Sequence, residues 1–354
     1  MLINRFTKGA DIVKRIILFW GFFCLFLFSS HNPCLANSGQ GEAMTVKISK
    51  QAVSNNNTLR MENDKLTWQT QGGVGNYNLK TNQKQFIRTD GNFPKVCSSY
   101  LVYTKDLDEK SSIGLYLYDL NTKKEKKIYI SPNASSFPCF DFRDFKVVWY
   151  EGGPYLGFYN LLTNQKEQIN IFPEGYDCTT DNVLEISLDN SLLICSYFFN
   201  GQLQTCVYNL SNKEKKIIEG VILPKISGNY LIYQRETGFI TSELHRDVFL
   251  YNLENDEELK LSDSANTGGI AAYEDWVAWQ ELGPNQQVAE KMFLGYHKLE
   301  CIKLFNISAK KEISISVSEN MVYSSEMVLY KNKLALLSNS TGKGYWDLNL
   351  LHLQ

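Results

Sequence analysis

Two short patterns of apolar and polar residues alternate along the chain, and each occurs seven times. The first pattern is an aromatic residue followed by Asn or Asp and then by Leu or Ile. Its copies are Tyr77-Asn78-Leu79, Tyr118-Asp119-Leu120, Tyr159-Asn160-Leu161, Tyr208-Asn209-Leu210, Tyr251-Asn252-Leu253, Phe305-Asn306-Ile307 and Trp346-Asp347-Leu348. Successive copies lie 41, 41, 49, 43, 54 and 41 residues apart. A period of roughly 40 to 50 residues is typical of repeat proteins whose units pack on their neighbours.

The second pattern precedes each copy of the first and consists of a polar pair followed by an alternating apolar and aromatic run. The copies are NDKLTWQT (63–70), SSYLVYTK (98–105), DFKVVWYE (144–151), NSLLICSY (190–197), GNYLIYQR (228–235), EDWVAWQE (274–281) and KNKLALLS (331–338). Such a run predicts a β-strand that begins after a tight turn. The Asn or Asp of the first pattern can bond the backbone two residues on, which starts the next turn.

The remainder of each unit completes the predicted fold. A Lys/Glu-rich alternating strand follows the first pattern, as at 124–130, 213–218 and 257–261, and its charges suit an exposed outer edge. A further strand before the polar pair gives four strands in each unit, which is the composition of a propeller blade. The sequence therefore predicts an all-β fold, a seven-bladed β-propeller of four-stranded antiparallel blades.

The two ends of the repeat region indicate how the ring closes. The last unit ends at Gln354, only a few residues after Trp346-Asp347-Leu348, which leaves little chain for a fourth strand. Residues 45–49 (TVKIS) alternate in the same way as the other outer strands. We therefore predict that residues 45–49 supply the closing strand of the last blade.

The first 36 residues are typical of an export signal. Lys14 and Arg15 precede an uncharged apolar run over 16–28, which is shorter than the roughly 20 residues of a membrane-spanning helix. Cys34-Leu35-Ala36 matches a small-x-small cleavage site. We expect a signal peptide over 1–36, a single propeller domain over 37–354 without a membrane span, and a location in the periplasm or outside the cell. The alternative is an anchor formed by the uncleaved N-terminal segment.

Charge and cysteine content narrow the possible functions. With 36 basic and 38 acidic side chains, the chain lacks the positive field that nucleic acid requires. Six cysteines follow the signal and none lies in a C-x-x-C pair, so no metal site and no cofactor are predicted. Cys195 and Cys206 are equidistant from Asn200-Gly201, a strong hairpin turn. They are predicted to face each other, as a disulfide or as two buried thiols.

Three segments resemble the TolB-like or WD-repeat-like family of secreted bacterial β-propellers. Residues 187–194 (SLDNSLLI) resemble the family's Ser-Pro-Asp-Gly-x-x-Ile-Ala strand opening, although Leu188 replaces Pro and Asn190 replaces Gly. Residues 248–253 (VFLYNL) and 277–280 (VAWQ) are similar to two of its strand sequences. The resemblance covers about 45–354 and implies the propeller fold. TolB itself has an α/β domain before its propeller for which this chain has no room, so the resemblance does not imply a role in the Tol system.

Candidate ligand contacts are expected on one rim of the ring, because propeller loops between blades and between the second and third strands meet there. Three of these loops are longer than the repeat requires, at 106–114, 236–246 and 282–300, and an interblade loop spans 172–180. The rim residues predicted from them are Tyr155, Tyr176, Asp177, Glu243, His245, Arg246, Tyr296 and His297.

Two functions from different classes follow. The first is an exported, non-catalytic binding scaffold that holds a protein, peptide or glycan on one face. The alternative is a secreted carbohydrate-active enzyme, a lyase or hydrolase, that uses the same rim. No phosphate-binding loop, nucleophile elbow or His-Glu-x-x-His motif is present in the sequence, and no residue is assigned a catalytic role.

Overall fold

The structure of the protein is a computed structural model. It describes residues 44–52, 59–89, 91–107, 112–131, 139–176, 183–240, 243–262, 266–283, 299–316, 322–339 and 346–353. The predicted signal peptide lies outside these residues. Within them the chain forms strands and turns, and no helix is long and apolar enough to span a bilayer.

The described residues form twenty-eight strands. Strand β1 (Met44–Ala52) precedes the first blade. Blade 1 contains β2 (Arg60–Glu62), β3 (Lys65–Thr70), β4 (Gly73–Asn78) and β5 (Lys84–Arg88). Blade 2 contains β6 (Gly91–Cys97), β7 (Tyr100–Leu107), β8 (Ser112–Asp119) and β9 (Glu125–Ser131). Blade 3 contains β10 (Phe140–Arg143), β11 (Lys146–Gly152), β12 (Tyr155–Asn160) and β13 (Gln165–Ile169).

The remaining strands follow the same order. Blade 4 contains β14 (Val183–Asp189), β15 (Leu192–Phe199), β16 (Gln202–Asn209) and β17 (Lys215–Glu219). Blade 5 contains β18 (Ile222–Ser227), β19 (Tyr230–Ile240), β20 (Glu243–Asn252) and β21 (Glu258–Lys260). Blade 6 contains β22 (Thr267–Tyr273), β23 (Trp276–Leu282), β24 (Leu299–Asn306) and β25 (Lys311–Ser316). Blade 7 contains β26 (Val322–Tyr330), β27 (Lys333–Asn339) and β28 (Trp346–His352).

The blades are antiparallel sheets in which consecutive strands pair, so the predicted seven-bladed propeller is confirmed. Seven apolar clusters fill the spaces between neighbouring blades, including the space between blade 7 and blade 1. Each blade is a small sheet that buries both of its faces only when it has a neighbour on each side. The ring is the arrangement that gives every blade two neighbours.

Blade 7 obtains its fourth strand from the beginning of the propeller. Strand β1 pairs antiparallel with β28, with Val46 opposite Leu350 and Ser49 opposite Leu348. Lys47 on β1 also forms an ion pair with Asp347 on β28. A single pair, Ala52 with Thr70, continues the hydrogen bonding from β1 into blade 1. The last blade is therefore built from both ends of the described chain.

The two faces of the ring carry different connections. The turns between the first and second strands are all tight, and the first residue of each has a positive φ. These residues are Asn63, Ser98, Asp144, Asn190, Gly228, Glu274 and Lys331. The turns between third and fourth strands lie at the same end, and there the Asn or Asp side chain of the first pattern caps the turn, as when Asn78 Oδ1 accepts from Lys80 N (2.9 Å). We call this end the turn face.

The opposite end, the loop face, holds the connections between second and third strands and between blades. Two of the long loops expected there are in part strand. The β19–β20 hairpin of blade 5 pairs out to Ile240 and Glu243, and β7 pairs with β8 out to Leu107 and Ser112. Alternation of apolar and polar residues continues through these segments, but their charged residues make them similar to loops in sequence.

Candidate functional site

A cavity of about 230 Å³ lies on the axis of the ring, where the first strands of all seven blades meet. Its wall is formed by residues of β2, β6, β10, β14, β18, β22 and β26. The cavity is the part of the described chain to which every blade contributes, so it is the first candidate for a site.

One position in each blade defines the chemistry of this wall. The third residue before the turn between first and second strands is, from blade 1 to blade 7, Arg60, Lys95, Asp141, Ser187, Lys225, Ala271 and Val328. We call these seven residues the axial ring. The charged members lie in blades 1, 2, 3 and 5, whereas blades 6 and 7 contribute small or branched apolar side chains. The cavity is therefore polar on one side and apolar on the other.

Most of the charges around the cavity are paired. Arg60 lies 3.4 Å from Asp141, whose carboxylate also accepts a hydrogen bond from Leu188 N at 2.8 Å. Lys225 forms an ion pair with Glu185. The nearby cation Arg60 holds the pKa of Asp141 below its usual range although burial opposes this effect. These pairs place four charges from blades 1, 3, 4 and 5 on the wall without leaving these ions isolated.

Lys95 is the exception among the basic residues of the wall. Its side chain is buried, with 6% exposure, and within the described part of the chain its ammonium makes no hydrogen bond or ion pair. Burial lowers the pKa of Lys95 to about 8, and the nearby Asp141 only partly opposes this shift. An ammonium held in this state destabilises the fold unless a ligand or water solvates it.

Glu62 is an acid whose charged form is also disfavoured by burial. It ends β2 beside the cavity, and burial raises its pKa to about 7 despite the opposing effect of Arg60. Its Oε2 atom has no hydrogen-bond partner, nor have Arg60 Nε and Asp141 Oδ1. Unsatisfied polar atoms and shifted pKa values in one cavity are typical of functional sites.

Two blades place their axial lysine by the same local sequence. Phe93-Pro94-Lys95 in blade 2 and Leu223-Pro224-Lys225 in blade 5 each interrupt the pairing of the first strand with a bulge. The residue before each proline has a positive φ, 55° at Phe93 and 50° at Leu223, which is unusual for a side chain of this size. Proline lacks an N–H and is tolerated at a bulge, where a ladder bond is already missing.

Apolar side chains are exposed at the loop-face end of the cavity. Leu184 and Leu223 line the cavity near the starts of β14 and β18, and they are 46% and 39% exposed. Tyr155 and Phe198 lie next to turns on the same face and are 41% and 40% exposed. Blades 3, 4 and 5 thus present several large apolar side chains to solvent on the loop face.

The predicted rim residues are only partly brought together. Tyr155 is exposed on the loop face, as expected. Tyr176 is instead a core residue with 6% exposure, stacked on Phe172 at 4.4 Å between ring centroids and packed edge-on against Tyr197. The interblade segment that carries it folds into the space between blades 3 and 4, where Phe172 packs against Tyr150 of blade 3 and Tyr197 of blade 4.

The other rim candidates lie at the start of β20, next to the β19–β20 connection of the loop face, or outside the described residues. Glu243, His245 and Arg246 belong to strand β20, and Arg246 pairs with Glu236 of β19. The backbone carbonyl of Arg246 accepts a hydrogen bond from Thr267 Oγ1 at 2.8 Å. Asp177, Tyr296 and His297 lie outside the described residues, so their place on the rim stays a prediction.

Cys195 and Cys206 pair directly across strands β15 and β16, in the register that the Asn200-Gly201 turn requires. Both are buried free thiols in the structure, and the predicted disulfide between them stays a prediction for oxidising conditions. Burial raises the pKa of Cys206 to about 12 and that of Cys195 well above its usual value. Thiols in this state are poor nucleophiles.

A metal centre has no support among the described residues, where no three His, Cys, Asp or Glu side chains are grouped as ligands. The cavity wall contains four acidic side chains, Glu62, Asp141, Glu185 and Glu326. The basic groups described above lie among them, so these carboxylates do not converge on one point.

The axial ring lies on buried first strands, so sequence features of the loops do not reveal it. A signal was present in the sequence: Arg60, Lys95, Asp141 and Lys225 interrupt apolar strands at one fixed distance before the polar pair. A charge at the same place in several buried strands is informative, because a buried charge needs a partner or a ligand.

Comparison with known proteins supports the fold and leaves the family open. No family model matches the chain, and no curated protein matches its sequence. Among solved structures, it is similar to the tricorn protease (TM-score 0.56, 10% identity, covering 86% of this chain and 34% of that one). It is also similar to an acylaminoacyl peptidase from Pyrococcus horikoshii (TM-score 0.52, 10% identity, 86% and 52%).

A third similar structure is a Saccharomyces cerevisiae complex in which Dbp5 is bound to Nup159 (TM-score 0.50, 9% identity, covering 90% of this chain and 97% of that one). The chain spans about half of the peptidase and a third of the tricorn protease. At these identities the likeness establishes a β-propeller and does not single out the TolB-like family.

Proposed function

We propose that the protein is an exported, non-catalytic binding scaffold that holds a protein, peptide or glycan on the loop face, at the mouth of the axial cavity. The observation that carries the proposal is the exposure of Leu184 and Leu223 at that mouth. Large apolar side chains that line an open cavity lose water contact when a partner covers them, which favours binding.

The contrast between the faces supports the choice of the loop face. On the turn face, Leu162 is the exposed large apolar residue of the described chain, and it lies on a turn far from the cavity wall. The bound Dbp5 in the Nup159 structure illustrates that a ring of this kind can hold a protein partner. Export rests on the N-terminal sequence and is part of the proposal.

The test compares one face with the other. A double variant, Leu184→Ser with Leu223→Ser, removes the apolar mouth, and Leu162→Ser is the matched control on the turn face. The purified proteins are used to capture partners from envelope extract and to probe a glycan array. We expect the double variant to lose at least about tenfold in affinity, because two buried leucines contribute about 3 kcal/mol or more.

Three results would count against the scaffold. These are the absence of saturable binding by the unmodified protein, equal binding by the double variant, and equal loss in Leu162→Ser. Thermal melting of all three proteins verifies that the exposed substitutions leave the fold intact.

A further inference from the structure

Among the described cations that line the cavity, Lys95 is the one without an ion-pair partner, since Arg143 is paired with Asp189. Asp141 is paired with Arg60, and Glu185 is paired with Lys225. Glu326 accepts a hydrogen bond from Leu59 N at 2.9 Å. The hydrogen bond leaves the charge of Glu326 in place, and the Lys95 ammonium is the buried cation of the wall that a ligand could contact.

Glu62 offsets this positive charge only in part at neutral pH. Burial raises its pKa to about 7, so about half of the molecules carry a neutral carboxylic acid there. A neutral Glu62 is also a hydrogen-bond donor, and its Oε2 atom makes no hydrogen bond in the structure, although it lies 3.9 Å from Arg60. The polar side of the cavity therefore presents an ammonium and an acid proton, both suited to an anionic oxygen.

The other side of the cavity suits an apolar group. Blades 6 and 7 contribute Ile270, Ala271, Met327 and Val328 to the wall. The volume of about 230 Å³ equals that of roughly seven or eight waters. This space accommodates a group about the size of one amino-acid side chain with its carboxylate.

We propose that the axial cavity binds one carboxylate that carries a small apolar group, with Lys95 as the charged partner. The carboxylate is that of a free organic acid or the C-terminus of a peptide whose last side chain is apolar. A phosphate dianion fits less well, because four carboxyl groups line the same wall and would repel a second negative charge. The inference deepens the proposed function and rests on it, since it names the group that enters the mouth.

The experiment is isothermal titration calorimetry of the purified protein with matched probes. One pair is 4-methylpentanoate and its amide, and the other is Gly-Gly-Gly-Leu with a free or an amidated C-terminus. We expect binding of an acid and at least about tenfold weaker binding of its amide, because the amide lacks the negative charge that strengthens a hydrogen bond from the ammonium. Binding of the free acid identifies a small ligand, and binding of the peptide alone identifies a chain terminus.

Variants locate the site. Lys95→Met keeps the length and apolar character of the side chain and removes its charge, and it should weaken acid binding at least about tenfold. Lys65→Met removes the same charge at a site outside the cavity, where Lys65 Nζ donates to Ser98 O, and it should leave binding unchanged. Unchanged acid binding by Lys95→Met, equal binding of acid and amide, or failure of both acids to bind would each overturn the inference.

Measuring the affinity for the acid over a range of pH provides an independent test. The groups around Lys95 are Arg60, Asp141, Glu185 and Lys225, and burial with these neighbours lowers its pKa to about 8. Because the ammonium form binds the carboxylate, affinity should fall by up to about tenfold per pH unit above pH 8. In Lys95→Met the part of this fall that comes from the lysine should be absent, whereas ionisation of Glu62, whose pKa is about 7, should weaken binding in both proteins.

The two proposals fail in different ways. A captured partner could fail to bind the Leu184 and Leu223 double variant but still bind Lys95→Met. That result would support the scaffold and contradict the carboxylate site. Acid binding without any captured partner would leave a small-molecule site and contradict the scaffold.

Discussion

Two rings of seven equivalent residues run through the propeller, and they follow opposite rules. The core ring lies on the second strands, five residues after the first residue of each tight turn. Its members are Trp68, Trp149, Trp279, Tyr103, Tyr233, Cys195 and Leu336, and none is more than 1% exposed. The axial ring lies on the first strands and contains bases, an acid, a serine and two apolar residues.

The difference separates the residues that make the fold from those that can make a site. Every core-ring residue packs between two blades, so each blade needs a buried side chain at that place. The axial ring faces the cavity, where a change in one blade leaves the packing between blades intact. On a repeated scaffold, chemistry can therefore vary at the axis while the blade bodies stay alike.

The largest expected effect concerns the closure on which both rings depend. Removal of residues through Ala52 takes β1 from blade 7 and exposes the edge of β28, where Leu348 and Leu350 are now almost fully buried. We expect the melting temperature to fall by more than about 10 °C. Differential scanning calorimetry measures the change.

The control for this truncation is removal of residues through 43 only, which keeps all of β1. We expect that protein to melt like the unmodified one. An unchanged melting curve after removal of β1 itself would mean that the strand does not hold the ring closed.

The next effect compares the two rings directly within neighbouring blades. Trp149→Ala empties a core-ring position that packs near Tyr129 at 5.8 Å and lies under Lys166, and it should cost about 3–5 kcal/mol. Ser187→Ala in the axial ring should change the free energy of unfolding by less than about 1 kcal/mol. Urea denaturation of both variants measures the free energy of unfolding. Similar decreases in the two variants would mean that the rings do not differ in their contribution to stability.

The core ring could be predicted from the sequence, because its physical cause repeats. Each second strand alternates and follows a turn pair, so the buried position can be identified from spacing alone. Six copies have an aromatic or a leucine there, and Cys195 in blade 4 is recognisable only by its register. The blade count and strand order follow from the same periodicity.

The axial site was less accessible to sequence reasoning. Whether Lys95 has a partner depends on where four other blades place their charges, and periodicity does not contain that information. The burial of Tyr176 has a similar cause, because it depends on contacts with Phe172 and Tyr197, and the interblade segment that carries Tyr176 lies outside the repeated patterns. A repeat pattern predicts what the units share, whereas a site depends on how they differ.

A smaller effect tests whether the axial ring lowers the stability of the fold. Lys95→Met should raise the free energy of unfolding by up to about 3 kcal/mol at pH 7, because burial lowers the pKa of Lys95 from 10.5 to about 8. The folded state binds fewer protons than the unfolded state between those values, so the stability of the unmodified protein should rise with pH across that window. The advantage of the variant should therefore shrink above pH 8. A variant less stable than the unmodified protein at pH 7 would indicate that Lys95 has a structural partner.

The smallest expected effect tests how tightly a core-ring side chain packs against the neighbouring strand of its own blade. Gly157 lies opposite Trp149, and an added Cβ would approach the indole to 2.2 Å. Gly157→Ala should therefore cost about 1–3 kcal/mol, since the ring must move within a packed interface. Trp149→Phe provides a smaller ring, so the loss caused by Gly157→Ala should be smaller in that background than in the unmodified protein. A double-mutant cycle measures this coupling. Additive losses would mean that the glycine is required by the backbone rather than by the tryptophan, and that the core ring tolerates more variation than its uniform burial suggests.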